Sequence, residues 1–481
     1  MKQDKSWVLK GHRVNSNCGR QLTSDQQRVT HRLIDQPVIA NPLLFGSRNA
    51  AKLAAQWHHI AMPAHRSPFR GWKVVNAGIV IQFIQSALIM QAMGSYLVVL
   101  ERQFGWSKSV LSAAFSVNRF ESALLGPLQG WLLDRYGPKR IARIGSFFLI
   151  AGFVWFSRIQ TLWEFFASFL FIAIGAGLSG FLTVTVAIVR WFERRRARAL
   201  ATGSLGFAAG GLAVPLVVWS MNANGWRTTA SVSGVVAGIA VYFFARYLDG
   251  YPTDYGQTVD GIAPEDTAET PTAEGLTSVH FTAQEAIRTR AFWMISLGHM
   301  SALFVVGAVM AHLALFLTSE RGYSLQQASY VCAALPIMQI VGMTIGGALG
   351  DKVNKRLIAS VAMFGHAGGI LVLAFTQRGW MIGVFVVLHG LAWGARGPLM
   401  QALRADYFGA SSFGFIMGLS SLIVMLGTVF GPIIAGVLAD MTGSYRLGFV
   451  VLAVLAALGM VFFVLATPPD PPNRDLAPSI H

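Results

Sequence analysis

From Gly71 onward the chain alternates apolar runs of about 20 residues with short charged or turn-rich breaks. A helix of that length crosses the hydrocarbon core of a bilayer. The pattern predicts spans over 73–99, 109–132, 141–159, 163–190, 199–220 and 227–248 in a first half. A second half follows at 291–317, 325–350, 357–376, 380–404, 412–438 and 446–467. The expected fold class is all-α integral membrane: about twelve transmembrane helices in two pseudo-symmetric six-helix lobes, 71–248 and 291–468.

The polar stretches bound these lobes. Residues 1–70 carry Arg13, Arg20, Arg28, Arg32, Arg48 and Lys52 without periodicity and without the apolar run of a signal peptide. They read as a disordered basic cytoplasmic tail, or as a start-site artefact with translation beginning at Met62, just before the basic run His65 to Arg70. Residues 249–290 form an acidic linker with Asp249, Asp254, Asp260, Glu265, Asp266, Glu269 and Glu274, expected to be partly disordered. Residues 469–481 form a second cytoplasmic tail.

The two halves repeat each other. Gly130-Trp-Leu-Leu-Asp134-Arg135-Tyr-Gly137-Pro-Lys139-Arg140 sits between two spans, and Gly347-Ala-Leu-Gly350-Asp351-Lys352-Val-Asn354-Lys355-Arg356 follows 217 residues later. Trp226-Arg227 corresponds to Tyr445-Arg446, and Trp191-Phe192 to Tyr407-Phe408, at nearly the same offset. Internal repeats of this kind are how many transporters are built.

Composition narrows the class. The chain is 54% hydrophobic and 12% charged, whereas a soluble domain carries about 25% charge. A soluble enzyme is excluded on this ground. The net charge of +16 lies in tails and short loops and lacks a nucleic-acid module, so it marks orientation rather than nucleic-acid binding. Short breaks rich in Arg and Lys follow spans 2, 4 and 8, which places those loops, the linker and both termini in the cytoplasm. Cys18 and Cys332 define neither a disulfide framework nor a metal site, and no cofactor motif is present.

The segment at Gly130, Asp134, Arg135, Gly137, Lys139 and Arg140 resembles the signature loop of the major facilitator superfamily between its second and third helices. Its second copy matches at Gly347, Asp351, Lys352 and Lys355. There Asn354 replaces Gly137, and Asn is expected to preserve a left-handed turn. The resemblance covers roughly residues 71–467. Phe104-Gly-Trp-Ser-Lys-Ser-Val-Leu-Ser112 and Trp191-Phe-Glu-Arg-Arg-Arg-Ala-Arg-Ala-Leu-Ala-Thr-Gly203 resemble loops of the monocarboxylate-porter and oxalate/formate branch. The Asp/Arg pair of animal-type monocarboxylate porters is missing from span 8, and the Lys of an oxalate/formate exchanger from span 11. Those binding residues therefore do not carry over.

The signature residues are expected to gate. Asp134 ends a helix beside the basic start of the next, and a carboxylate there also suits the positive N-terminal end of another helix. Ionisable residues inside the membrane are functional candidates. Arg119 and Arg396 lie near the midplane, and a guanidinium matches a carboxylate substrate. Either Arg is alternatively a structural partner of a buried acid, Glu121 above all. Glu121, His299 and His312 are candidates for proton coupling. His366 and His389 read as packing histidines or relays. Gln82, Gln85 and Tyr96 are candidates for lining the cavity. The Gly-rich runs 203–211 and 427–436 read as close helix packing rather than phosphate loops.

The resulting expectation is a secondary active transporter of the major facilitator type in a bacterial inner membrane. It would move a small, monocarboxylate-like organic anion with a proton across the lipid bilayer, acting as a monomer and binding no nucleic acid. A proton-driven exporter of drug-like metabolites and a transporter-like solute receptor are the alternative readings.

Overall fold

The computed structural model describes residues 68–106, 125–248, 250–262 and 280–472. The basic tail through residue 67, most of span 2 with Arg119 and Glu121, and the end of the C-terminal tail lie outside the described residues. So do linker residues 249 and 263–279.

The first half contains α1 (Gly71–Phe104), α2 (described over Gly126–Tyr136), α3 (Pro138–Phe156), α4 (Leu162–Trp191), α5 (Arg196–Asn224) and α6 (Trp226–Tyr247). The second contains α7 (Arg290–Ser319), α8 (Leu325–Gly350), α9 (Lys355–Ala374), α10 (Gly379–Phe408), α11 (Phe413–Thr442) and α12 (Arg446–Leu465). Among the described residues, ten of these helices are long and apolar enough to cross a bilayer. The other two are α2 and the 19-residue α3, whose first turns hold Lys139, Arg140 and Arg143.

Local sequence sets the breaks. Helix α1 contains a π-helical segment at Ser86–Gln91, and α4 bends at Gly180. In α5 a 3-10 turn at Gly210–Ala213 precedes Pro215, where the proline supplies no amide hydrogen.

Packing repeats with the sequence. In the first lobe α1 packs on α5, and α3 on α4 and α6. In the second, α7 packs on α11, and α9 on α10 and α12. Even the end staples correspond. The Trp226 indole donates to Gln103 (2.6 Å), and the Tyr445 amide donates to Glu320 (2.7 Å). Each joins the first and last helix of its lobe at the end away from the basic loops.

The lobes meet along α2 with α11 and α5 with α8, two contacts exchanged by the repeat. Small residues allow the approach. A Cβ on Gly130 would land on the Gly414 carbonyl oxygen. On the other side, Gly347 faces the Ala201 methyl.

Two stretches of the linker are among the described residues. Residues 250–262 fold as two 3-10 turns, Pro252–Tyr255 and Val259–Gly261. At its other end a short helix, Ala283–Arg288, is capped by Thr282 and Glu285, while the Phe281 amide bonds the Phe408 carbonyl (3.0 Å).

Gly130→Leu is expected to force α2 from α11 and hold the basic end apart. Distances between spin labels at exposed Arg140→Cys and Val353→Cys, with Cys18 and Cys332 replaced by Ser, measure this. An unchanged distance distribution would contradict it.

Candidate functional site

The basic loops build a two-sided clasp. Asp134, at the end of α2, accepts hydrogen bonds from the amides of Gly414 (3.0 Å) and Phe415 (2.8 Å), in the first turn of α11. Asp351, just past α8, accepts from Ala197 (2.8 Å) and Arg198 (3.1 Å), in the first turn of α5. First-turn amides lack intrahelical acceptors and sit at the positive end of the helix dipole. Each carboxylate thus bonds a helix start in the opposite lobe.

A third carboxylate ties the same region together. Asp406, at the end of α10, pairs with Arg196 across the lobes and with Lys355 (2.8 Å) within its own lobe. Buried Arg190 donates to the Leu133 carbonyl beside Asp134 (3.3 Å). Arg135, Arg140 and Lys352 are exposed.

The second copy turns differently from expectation. Gly137 has φ 81°, which favours glycine. Asn354 has φ −55° and is not left-handed. Its side chain instead accepts from the Arg356 amide (2.9 Å) and caps α9. An N-cap needs an extended or intermediate backbone, so Asn starts the helix by side-chain chemistry where Gly starts it by backbone conformation.

Burial pushes the Asp351 carboxyl above its ordinary value; the two amides and Lys355 pull it partway back, and the nearby Asp260 charge adds a smaller upward push.

The membrane interior of the second lobe is cationic. Arg396 lies on α10 about 18 Å from its basic end at 1.5 Å per residue. It is 1% exposed, and its Nε and Nη1 have no hydrogen-bond partner among the described residues. Among the acids of α7–α12, Asp406 and Asp440 lie near helix ends.

Sequence reasoning missed Arg404 as a site residue by ending the span there. Helix α10 continues to Phe408 and encloses the guanidinium, which is also 1% exposed. Its Nε and Nη2 donate to Ser420 Oγ (3.1 and 2.7 Å), and Nη1 donates to the Met400 carbonyl (3.1 Å). Nη2 lies 3.4 Å from His299 Nδ1. Ser296 and Ser420 share a hydroxyl bond of 2.8 Å. The polar group therefore joins α7, α10 and α11.

The other candidates separate. His312 bridges Tyr445 (3.1 Å) and the Pro432 carbonyl (3.0 Å), as an interhelical staple. His366 and His389 face one another through their Nδ1 atoms at 3.1 Å. Gln85 donates to Ser179 (2.8 Å), whereas Gln82 is buried with Oε1 unpartnered among the described residues. Tyr96 packs edge-on against Phe156 inside the first lobe.

A family model described as "Major Facilitator Superfamily" matches residues 77–377 and 295–480. The chain is a major facilitator. This transporter is 24% identical over 392 residues to the probable sulfoacetate transporter SauU of Cupriavidus necator, covering 77% of the chain and 88% of that protein. It is also 24% identical over 392 residues to monocarboxylate transporter 13 of Rattus norvegicus, covering 79% and 85%. The crystal structure of the human organic anion transporter MFSD10 (TETRAN) superposes with a TM-score of 0.63 at 14% identity, covering 82% of the chain and all of that structure. The major facilitator fold and the branch resemblance both hold, and the chain is a multi-pass membrane transporter rather than an enzyme.

Released into water, Asp351 regains its ordinary acidity. The latched form therefore holds the proton more tightly, and acidification into the carboxylate range, from above about pH 4, favours latching through this residue. The Arg140–Val353 label distance should shorten as pH falls, with a smaller response in Asp351→Ala. An equal response would exclude Asp351 as its source.

Proposed function

We propose that this major facilitator moves a small, monocarboxylate-like organic anion across the bacterial inner membrane by alternating access, in symport with a proton. The basic loops and both termini face the cytoplasm. On that orientation the closed clasp belongs to the outward-facing form, and breaking it opens the cytoplasmic side.

Arg396 carries this reading. A buried guanidinium with two nitrogens unpartnered among the described residues bears a large desolvation cost. A carboxylate or sulfonate supplies both the missing charge and the missing acceptors. The names of the sulfoacetate and monocarboxylate relatives support an organic anion as cargo. Arg404 provides a second cation about 12 Å further along α10, held by Ser420 and adjoining His299. His299 is the described proton-coupling candidate nearest this cationic centre. Gln82 is the candidate contact from the first lobe.

Proton-driven uptake of labelled small carboxylates and sulfonates into proteoliposomes tests the proposal. Saturable uptake is expected, with Arg396→Gln weakening substrate affinity roughly 10- to 100-fold, the scale of lost charged hydrogen bonds. Full affinity in the variant would remove Arg396 as the anchor. Failure of every anion with folded, oriented protein would overturn the cargo assignment.

A further inference from the structure

The gate acquires an additional positioning residue from the linker. Asp260 is 6% exposed and adopts φ 59°, ψ 0°, a left-handed conformation rare outside glycine and tolerated locally by Asp. Its carboxylate accepts from three consecutive amides: Glu193 (3.0 Å), Arg194 (2.7 Å) and Arg195 (3.2 Å). These residues join α4 to α5. The amides immediately beyond Arg196, at Ala197 and Arg198, bond Asp351 of the opposite lobe. A single short stretch of backbone is therefore held by a linker carboxylate on one side and the inter-lobe clasp on the other.

The linker turn is itself seated on the first lobe. Gln257 accepts from the Arg70 amide (3.1 Å), and the Arg70 guanidinium lies 3.9 Å over the Tyr255 ring. Arg190 lies 4.8 Å over Tyr251. These contacts connect the turn to the beginning of α1 and the end of α4. They fix Asp260 where it can orient the start of α5.

We propose that Asp260 is a positioning residue of the transport cycle. It holds the 193–195 turn so that the first amides of α5 converge on Asp351, and release of the linker turn weakens cytoplasmic closure. This turns the linker from a passive tether into a regulator of access. A ligand or modification that lifts the turn would shift the carrier toward its inward-open form. The proposal rests on the alternating-access part of the function, independently of the anion.

The test compares Asp260→Ala, Asp260→Asn and Asp351→Ala, singly and with Asp260 and Asp351 changed together. Populations are read without substrate from label distances between Arg140→Cys and Val353→Cys in the cysteine-replaced background. Asp260→Ala should raise the open-to-closed ratio roughly tenfold, as expected for lost charged hydrogen bonds. Asp260→Asn retains an acceptor and the tolerated backbone, and should recover part of the closed population. In the Asp351→Ala background, Asp260→Ala should add little. An unchanged ratio in folded Asp260→Ala, or an equal effect with and without Asp351, would overturn the proposal. Because no substrate is present, failure here is distinct from failure of the anion assignment.

Discussion

Backbone amides at helix starts are the constraint on which this architecture depends. Those of α5 and α11 lie at the lobe interface and need acceptors from outside their helices. The opposite lobe supplies Asp351 to one and Asp134 to the other. These bonds, with the Arg196–Asp406 pair, join two units that also approach closely through small residues such as Gly130, Gly347 and Gly414. Packing gives the interface its shape, while the carboxylates give it direction and a definite closed position.

The second lobe presents a different electrostatic problem. Arg396 and Arg404 are buried on one helix, but their surroundings differ. Serine, a carbonyl and histidine surround Arg404, whereas Arg396 retains two nitrogens unpartnered among the described residues. In the proposed function, that asymmetry fits Arg404 as supporting framework and Arg396 as the contact for an exchangeable ligand. It also explains why counting intramembrane charges would not have distinguished their roles.

Much of the fold was legible because lipid imposes long apolar runs, and the repeated acids stood out against them. Asp134 and Asp351 could be singled out from sequence, although their partner amides belong to distant helices. Arg404 was lost because charge at the edge of an apolar run looks like a loop. Asn354 preserved the break by a different local mechanism from Gly137. The role of Asp260 was illegible because it depends on one left-handed backbone conformation and three neighbouring amides, neither of which an acidic composition encodes.

The paired clasps also have a mechanical consequence. They attach the lobes at two places exchanged by the internal repeat. Two attachment points define a line, and rigid bodies joined at both can still swing about it. Here that line runs across the basic end. In the proposed cycle, the same bonds that close one mouth thus provide the pivot about which the opposite mouth widens.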